Sequence, residues 1–340
     1  MYPLMKCVHR LVVAQVLLIV FGLGALPVAV FAQRDSEDVH IVPPVNPHAM
    51  VTTTNDRSLK AHAPLFKSGV DLVLVPVTVT DSRNRLVHGL DKDNFRVYEN
   101  NQLQTVQTLS REDAPISVGI LLDTSESMTT KVESARHAVM EFIKTSNPAD
   151  EFFLITFSDR PIETVEFTSA ADLIQDRLVS WTPKGQTALL DALYLGIAKM
   201  HGAKYSRRAL LVISDGGDNH SRYSEHELRG VIKEADVMIY AIGIYDHYFA
   251  TTEELMGPVL LDNVAELTGG YSFTIDNPDD LTMAANNIGH ALRNLYVISY
   301  RPTKTRHDGK WHKTKVMVSL PRGFPRPLVH AKRGYYAPAD

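Results

Sequence analysis

The chain has 340 residues, room for about two domains of ordinary size. Hydrophobic residues make up 44% and charged residues 22%, near globular averages, which excludes wholesale disorder, a collagen-like repeat and a multi-span membrane protein. Lys and Arg number 35 and Asp and Glu 39, so the net charge is −4 and the usual electrostatic ground for non-specific nucleic-acid binding is missing. A single cysteine, Cys7, rules out an intramolecular disulfide and any zinc or iron–sulfur centre built from several cysteines.

Lys6, His9 and Arg10 precede an apolar run from Leu11 to Ala32 broken by Gln15, and Val30-Phe31-Ala32 gives way at once to Gln33-Arg34-Asp35. A positive flank, an apolar core and a small-residue exit predict a signal peptide over residues 1–32, with the rest of the chain secreted or in the periplasm or cell envelope. The alternative is an uncleaved anchor, because about 20 apolar residues span a bilayer. Gly22, Gly24 and Pro27 weaken a helix near the exit and favour cleavage. Cys7 precedes the apolar run, the wrong side for a lipoprotein cysteine. Residues 33–67 carry Pro43-Pro44, Asn46-Pro47 and Thr52-Thr53-Thr54 without a sustained period, and read as a disordered linker.

Alternation then sets in. Val73, Val75, Val77 and Val79 share one face of a strand, followed by strands at 94–98 and 103–109 with Asn100-Asn101 as the turn between them. The same grammar returns at 295–300, 312–320 and 328–336, with Asp308-Gly309 predicting a hairpin between the first two. Each block is too short to bury a core comfortably by itself. Residues 68–112 and 295–340 are therefore expected to pair into one small β-sandwich, with the intervening chain inserted; two separate β appendages are the alternative.

Between them, the apolar segments 116–122, 152–157, 209–213 and 237–244 have the continuous character of strands buried on both faces. Val132, Ala135, Val139 and Phe142 make one helical face. So do Leu189, Leu193, Ile197 and Met200, and Leu228, Val231, Ile232 and Ala235. A last helix starts at Asn277 as N-cap and Pro278 as first residue, with the stripe Leu281, Ala284, Ile288, Ala291 and Leu295. Alternating strands and helices over 113–294 predict an α/β fold with a doubly wound, mostly parallel sheet. Phe153, Leu211 and Ile213 are its expected core.

Ligands of such sheets bind at the carboxyl ends of the strands. There the sequence puts Asp123-Thr124-Ser125-Glu126-Ser127 after the first strand and Ser214-Asp215-Gly216-Gly217-Asp218 after the 209–213 strand. Gly185-Gln186-Thr187 opens a helix between them. Two carboxylates and three hydroxyls form a hard oxygen set suited to Mg²⁺, Mn²⁺ or Ca²⁺. Ser125 and Ser127, two apart on a turn, can face one point. Two carboxylates only balance a divalent charge, which leaves the ion Lewis acidity and room for an external carboxylate.

The Asp-x-Ser-x-Ser of Asp123–Ser127, Thr187 in Gly-x-Thr before Ala-Leu-Leu-Asp-Ala-Leu, and Asp215 in Ser-Asp-Gly resemble the metal-ion-dependent adhesion site (MIDAS) of von Willebrand factor type A domains. The valine-rich first strand and the terminal Arg333-Gly334-Tyr335-Tyr336-Ala337-Pro338 are similar to exported bacterial proteins related to that family. The resemblance implies a Rossmann-like fold over 113–294. It implies that Ser125, Ser127 and Thr187 coordinate metal directly or through water, that Asp123 and Asp215 hold it, often through water, and that Asp123 orients the loop. It also implies a binding function, in which a protein partner's acidic side chain completes the coordination, and a last helix that shifts when it does. Asp159, Asp218 and Asn219 lie nearby and read as solvated loop caps.

Blander readings are a helix cap for Asp123–Ser127 and a plain turn for Ser214–Gly217. Each explains one segment, not three. His220 and His226, six apart, share no helical face, and no His-Glu-x-x-His motif occurs. A hydrolase would need a Gly-x-Ser-x-Gly elbow, a phosphate loop, a zinc motif or an assignable base, and none is present, so the expectation is a non-catalytic protein. A structural or assembly subunit of an envelope complex is the first alternative, and a hydrolase using a metal-bound water the second.

Overall fold

The structure, a computed structural model, describes residues 72–339 apart from 180, 246–251, 278, 305–306 and 321–325. The expected signal peptide, the linker and Pro278 lie outside the described residues. In chain order the elements are β1 (Val73–Thr80), β2 (Phe95–Glu99), β3 (Gln102–Gln104), β4 (Val106–Glu112), β5 (Ser117–Asp123), α1 (Val132–Lys144), β6 (Glu151–Phe157), β7 (Pro161–Thr168), α2 (Ala171–Val179) and α3 (Leu189–Lys199). They continue with β8 (Arg208–Ser214), α4 (Glu225–Glu234), β9 (Met238–Ile244), α5 (Thr252–Thr268), β10 (Ser272–Ile275), α6 (Asp279–Arg293), β11 (Leu295–Tyr300), β12 (Trp311–Val318), β13 (Leu328–Ala331) and β14 (Gly334–Tyr336).

The central sheet has the order β10-β9-β8-β5-β6-β7. Its first five strands run parallel, and β7 is an antiparallel edge. Both faces are covered. Val118, Ile120 and Leu122 of β5 point into a core with α1, α2 and α6, which includes Phe142, Leu211 and Ile288. Leu121 points the other way, to Phe153, Leu193 of α3, Ile232 of α4 and Leu261 of α5. Gly119 makes room on this second face, since a Cβ there would stand 2.2 Å from the Phe153 ring. Residues on opposite faces of one strand thus feed two cores, the physical reason these strands read as unbroken apolar runs. β5 is the first strand, with β6 on one side and β8 on the other, so the order reverses between β5 and β8.

The remaining strands form two antiparallel sheets, β13-β1-β11-β4 and β14-β12-β2-β3. β1 pairs with β11 from Val73↔Tyr300 to Val77↔Tyr296, so the two chain regions do build one sandwich. Val75, Val77, Val79, Phe95, Val97, Ile298 and Tyr300 fill it. Asn100 and Asn101 turn β2 into β3 with φ of 47° and 67°, the left-handed pair that a tight two-residue hairpin requires. Three expectations need correction. The strand expected over 328–336 is two strands, β13 on β1 in one sheet and β14 on β12 in the other. The strand expected over 103–109 is two strands in different sheets, because the chain crosses between layers at Thr105. Asp308-Gly309 joins no hairpin: β11 lies in one sheet and β12 in the other, so this segment also crosses the sandwich.

The sandwich encloses one polar knot. The buried Glu99 carboxylate accepts hydrogen bonds from Tyr300 Oη (2.8 Å) and Tyr335 Oη (3.2 Å) and stands 2.8 Å from His312 Nδ1. His312 Nε2 lies 3.2 Å from Asp308 Oδ1. Hydrogen bonding to Glu99 comes first among the influences that raise the His312 pKa above its ordinary value.

Truncating Leu211 or Phe153 to Ala should cost about 2–5 kcal/mol, read by urea denaturation. The imidazolium of His312 is favoured in the folded state. Its stabilisation should be complete below about pH 6.5 and be lost as pH rises through the higher folded value. Melting temperatures from about pH 6 to pH 9 should therefore fall more steeply for the parent than for His312→Gln; parallel curves would contradict this.

Candidate functional site

The carboxyl ends of β5 and β8 stand side by side at the strand-order reversal, where open α/β sheets bind their ligands. Asp123 closes β5 and is completely buried. A buried carboxylate is costly unless its oxygens are satisfied, and both are. Oδ1 accepts the Ser125 amide (2.9 Å) and Oδ2 accepts the Ser214 hydroxyl (2.5 Å). Ser214 closes β8, so this bond joins the first loop to the third. Ser125 is buried and its Oγ lies 3.1 Å from Ser127 Oγ, which gives the two hydroxyls the common orientation expected from their spacing.

Asp215 is likewise completely buried. Its Oδ2 accepts a 2.8 Å hydrogen bond from Lys131 Nζ, whose side chain is only 6% exposed. Gly216 follows with φ of 75°, and a Cβ on Gly257 of α5 would fall 2.1 Å from the Asp215 carbonyl oxygen. Two glycines therefore let α5 close directly over the third loop. Burial, then the neighbouring Asp215 charge, pushes the Asp123 pKa upward.

Thr187 is buried on the second loop. Its amide donates to Asn219 Oδ1 (2.9 Å), and its carbonyl accepts from the amides of Asn219 and His220. The same loop is tied to the first by Lys184 N–H to Thr124 O (2.9 Å) and Glu126 N–H to Gly185 O (3.0 Å). Asp159 Oδ1 accepts the Gln186 amide (2.8 Å), and Gly185, with φ of 81°, packs against that carboxylate. The three loops are thus joined pairwise by hydrogen bonds.

The neighbouring acids and amide hold loops. Asp218 Oδ1 accepts the Leu189 and Leu190 amides at the start of α3 and the Ser221 hydroxyl, and burial raises its pKa, so it is a partly buried cap. Sequence reasoning passed over two residues. Asp191 of α3 accepts the Arg222 and Tyr223 amides and the Arg222 guanidinium. Lys131 occupies the N-cap of α1, where the helix dipole disfavours a positive charge. That unfavourable position was the available signal that a carboxylate had to be near.

The donor set suits a hard divalent ion. Two buried carboxylates and the paired Ser125 and Ser127 hydroxyls stand at neighbouring strand ends, and a protein ammonium sits on one of the carboxylates. Among the described residues no group of three or more His, Cys, Asp or Glu could hold a metal, so any ion here depends on the hydroxyls. Described residues also contain no helix long and apolar enough to cross a membrane.

No curated protein matches the chain. Its fold is similar to that of the conserved hypothetical protein BatB from Bacteroides thetaiotaomicron (18% identity over 52% of this chain and 98% of that one, TM-score 0.42). It is similar to the vWF domain of the type V pili tip protein Mfa5 from Porphyromonas gingivalis (14%, 53% and 95%, TM-score 0.42). A von Willebrand factor type A structure from Catenulispora acidiphila aligns over 80% of this chain and 76% of its own, at 12% identity and TM-score 0.47. Residues 118–217 match the von Willebrand factor type A domain family, a span that runs from β5 through all three loops. That matched segment of a von Willebrand factor type A domain includes Asp123, Ser125, Ser127, Thr187 and Asp215.

Proposed function

We propose that this protein is an exported, divalent-metal-dependent binding module. Asp123, Ser125, Ser127, Thr187 and Asp215 would hold Mg²⁺, Mn²⁺ or Ca²⁺, and an acidic side chain of a protein partner would complete the coordination. The observation that carries this reading is the pair of fully buried carboxylates at the strand-order reversal, beside two hydroxyls that face each other. A bound ion would supply Lewis acidity for a visiting carboxylate. The chain's part is to fix the oxygens: Ser214 and the Ser125 amide orient Asp123, and Asn219 anchors the Thr187 backbone.

The proposed division assigns residues 113–294 to binding and residues 68–112 with 295–340 to a supporting sandwich. Export rests on the charged and apolar pattern of residues 1–32. A non-catalytic role fits the surroundings of Ser125, whose Oγ meets another hydroxyl rather than a base. Assembly into an envelope complex is the second reading. It differs from the first in needing no metal.

Calorimetric titration with MnCl2 separates the two. The parent should bind one ion, reversed by EDTA, and Asp123→Ala should lose that binding. Thr187→Ala should weaken it by about tenfold while its melting temperature stays near the parent's. Uptake of Mn²⁺ by Asp123→Ala at parental affinity would remove these residues from the site. A second expectation concerns α6, which passes into β11 across Asn294 alone. Hydrogen exchange over residues 279–300 should change when metal and an acidic partner bind; identical profiles would count against any pull on the sandwich.

A further inference from the structure

Lys131 presents a fixed positive charge to the crevice from inside the protein. Its ammonium reaches from the N-cap of α1 to Asp215 Oδ2 at 2.8 Å, with the lysine side chain 6% exposed and the aspartate fully buried. Its backbone is held on both sides: Lys131 N–H donates to Met128 O (2.9 Å), and its carbonyl accepts the Ala135 amide (2.8 Å). The charge therefore moves only by swinging the side chain, a flexible four-carbon stem.

We propose that Lys131 is a built-in competitor of the divalent ion, so that metal binding requires withdrawal of its ammonium from Asp215. This rests on the metal-site reading given above. The charge count is the argument. Asp123 and Asp215 together carry two negative charges when ionised, which a divalent ion balances. With the Lys131 ammonium still in contact, ion and ammonium would have to share one carboxylate, Asp215. In surroundings where charges are weakly screened, the ion and the ammonium oppose each other. When the ion is absent, the ammonium spares Asp215 the cost of an unpaired buried charge. Lys131 thus keeps the metal-free loops assembled and lowers affinity, so the site fills above a threshold of external divalent concentration instead of being permanently loaded.

The test uses Mg²⁺ on the whole protein, with two readouts. In calorimetry, Lys131→Met should bind Mg²⁺ about tenfold more tightly than the parent, and Lys131→Arg should stay near the parent. In the unsubstituted protein, amine labelling of Lys131 followed by mass spectrometry should rise when Mg²⁺ is added and should not rise in Asp123→Ala. If the parent takes up no Mg²⁺, the metal-site reading fails and this inference with it. If the parent binds Mg²⁺ but Lys131→Met binds equally or more weakly, competition alone is overturned. Should Lys131→Met fail to fold, labelling decides: a parent that binds Mg²⁺ without unmasking Lys131 overturns the inference.

Discussion

The hydrogen bond from the Ser214 hydroxyl to Asp123 Oδ2 organises the carboxyl end of the sheet. It spans the gap between β5 and β8, neighbouring strands that lead their chains to opposite faces of the sheet, into α1 and α4. A bare carboxylate buried at that depth would cost several kcal/mol. With the Ser125 amide on its other oxygen, Asp123 is satisfied, and two loops 91 residues apart are locked in one arrangement. The second loop follows from this, because the Lys184 amide donates to Thr124 O and the Glu126 amide to Gly185 O when the first loop is in place. Gly216 and Gly257 belong to the same constraint: their missing side chains let α5 close over the Asp215 backbone.

The sandwich meets a different requirement. Neither the strands before residue 113 nor those after residue 294 bury enough surface alone, and pairing β1 with β11 solves the problem for both. It also clamps the inserted sheet at its two ends, since β4 passes to β5 and α6 to β11 with short connections. The Glu99–His312–Asp308 knot adds specificity to this frame. His312 faces carboxylates on both nitrogens, so its charge is best accommodated when β2, β12 and the 308 turn are together. Tyr300 extends the knot from β11 to the opposite sheet.

Much of this was readable from periodicity. β5, β6, β8 and β9 bury both faces and announce themselves as apolar runs, while α1, α4 and α6 bury one stripe each; α3 is buried nearly all round at its start, from Leu189 to Leu193. What escaped had no clean period. Register shifts along the β6–β7 pairing break the alternation of β7, and β10 is four residues long. α5 carries Leu255, Met256 and Val259 exposed and Leu261 buried, with Pro258 inside, so no single stripe marks it. The hairpin expected at Asp308-Gly309 failed because turn chemistry is local, whereas the choice of partner strand is made by the sandwich. In the crevice, spacing located the carboxylates and hydroxyls but not Lys131, which comes from a helix start rather than from a strand end.

Lys131 also shows why the crevice is not explained by stability alone. A lysine at a helix N-cap opposes the helix dipole, two fully buried carboxylates repel each other, and a positive φ beside them forbids ordinary side chains. Each feature taken alone is destabilising. Together they partly cancel: the acids give the ammonium its counter-charge, and the ammonium relieves the acids. Apolar residues of similar volume would have satisfied packing at this position with fewer compensations. Such departures from local rules are concentrated at one strand-order reversal, inside a fold otherwise consistent with its sequence.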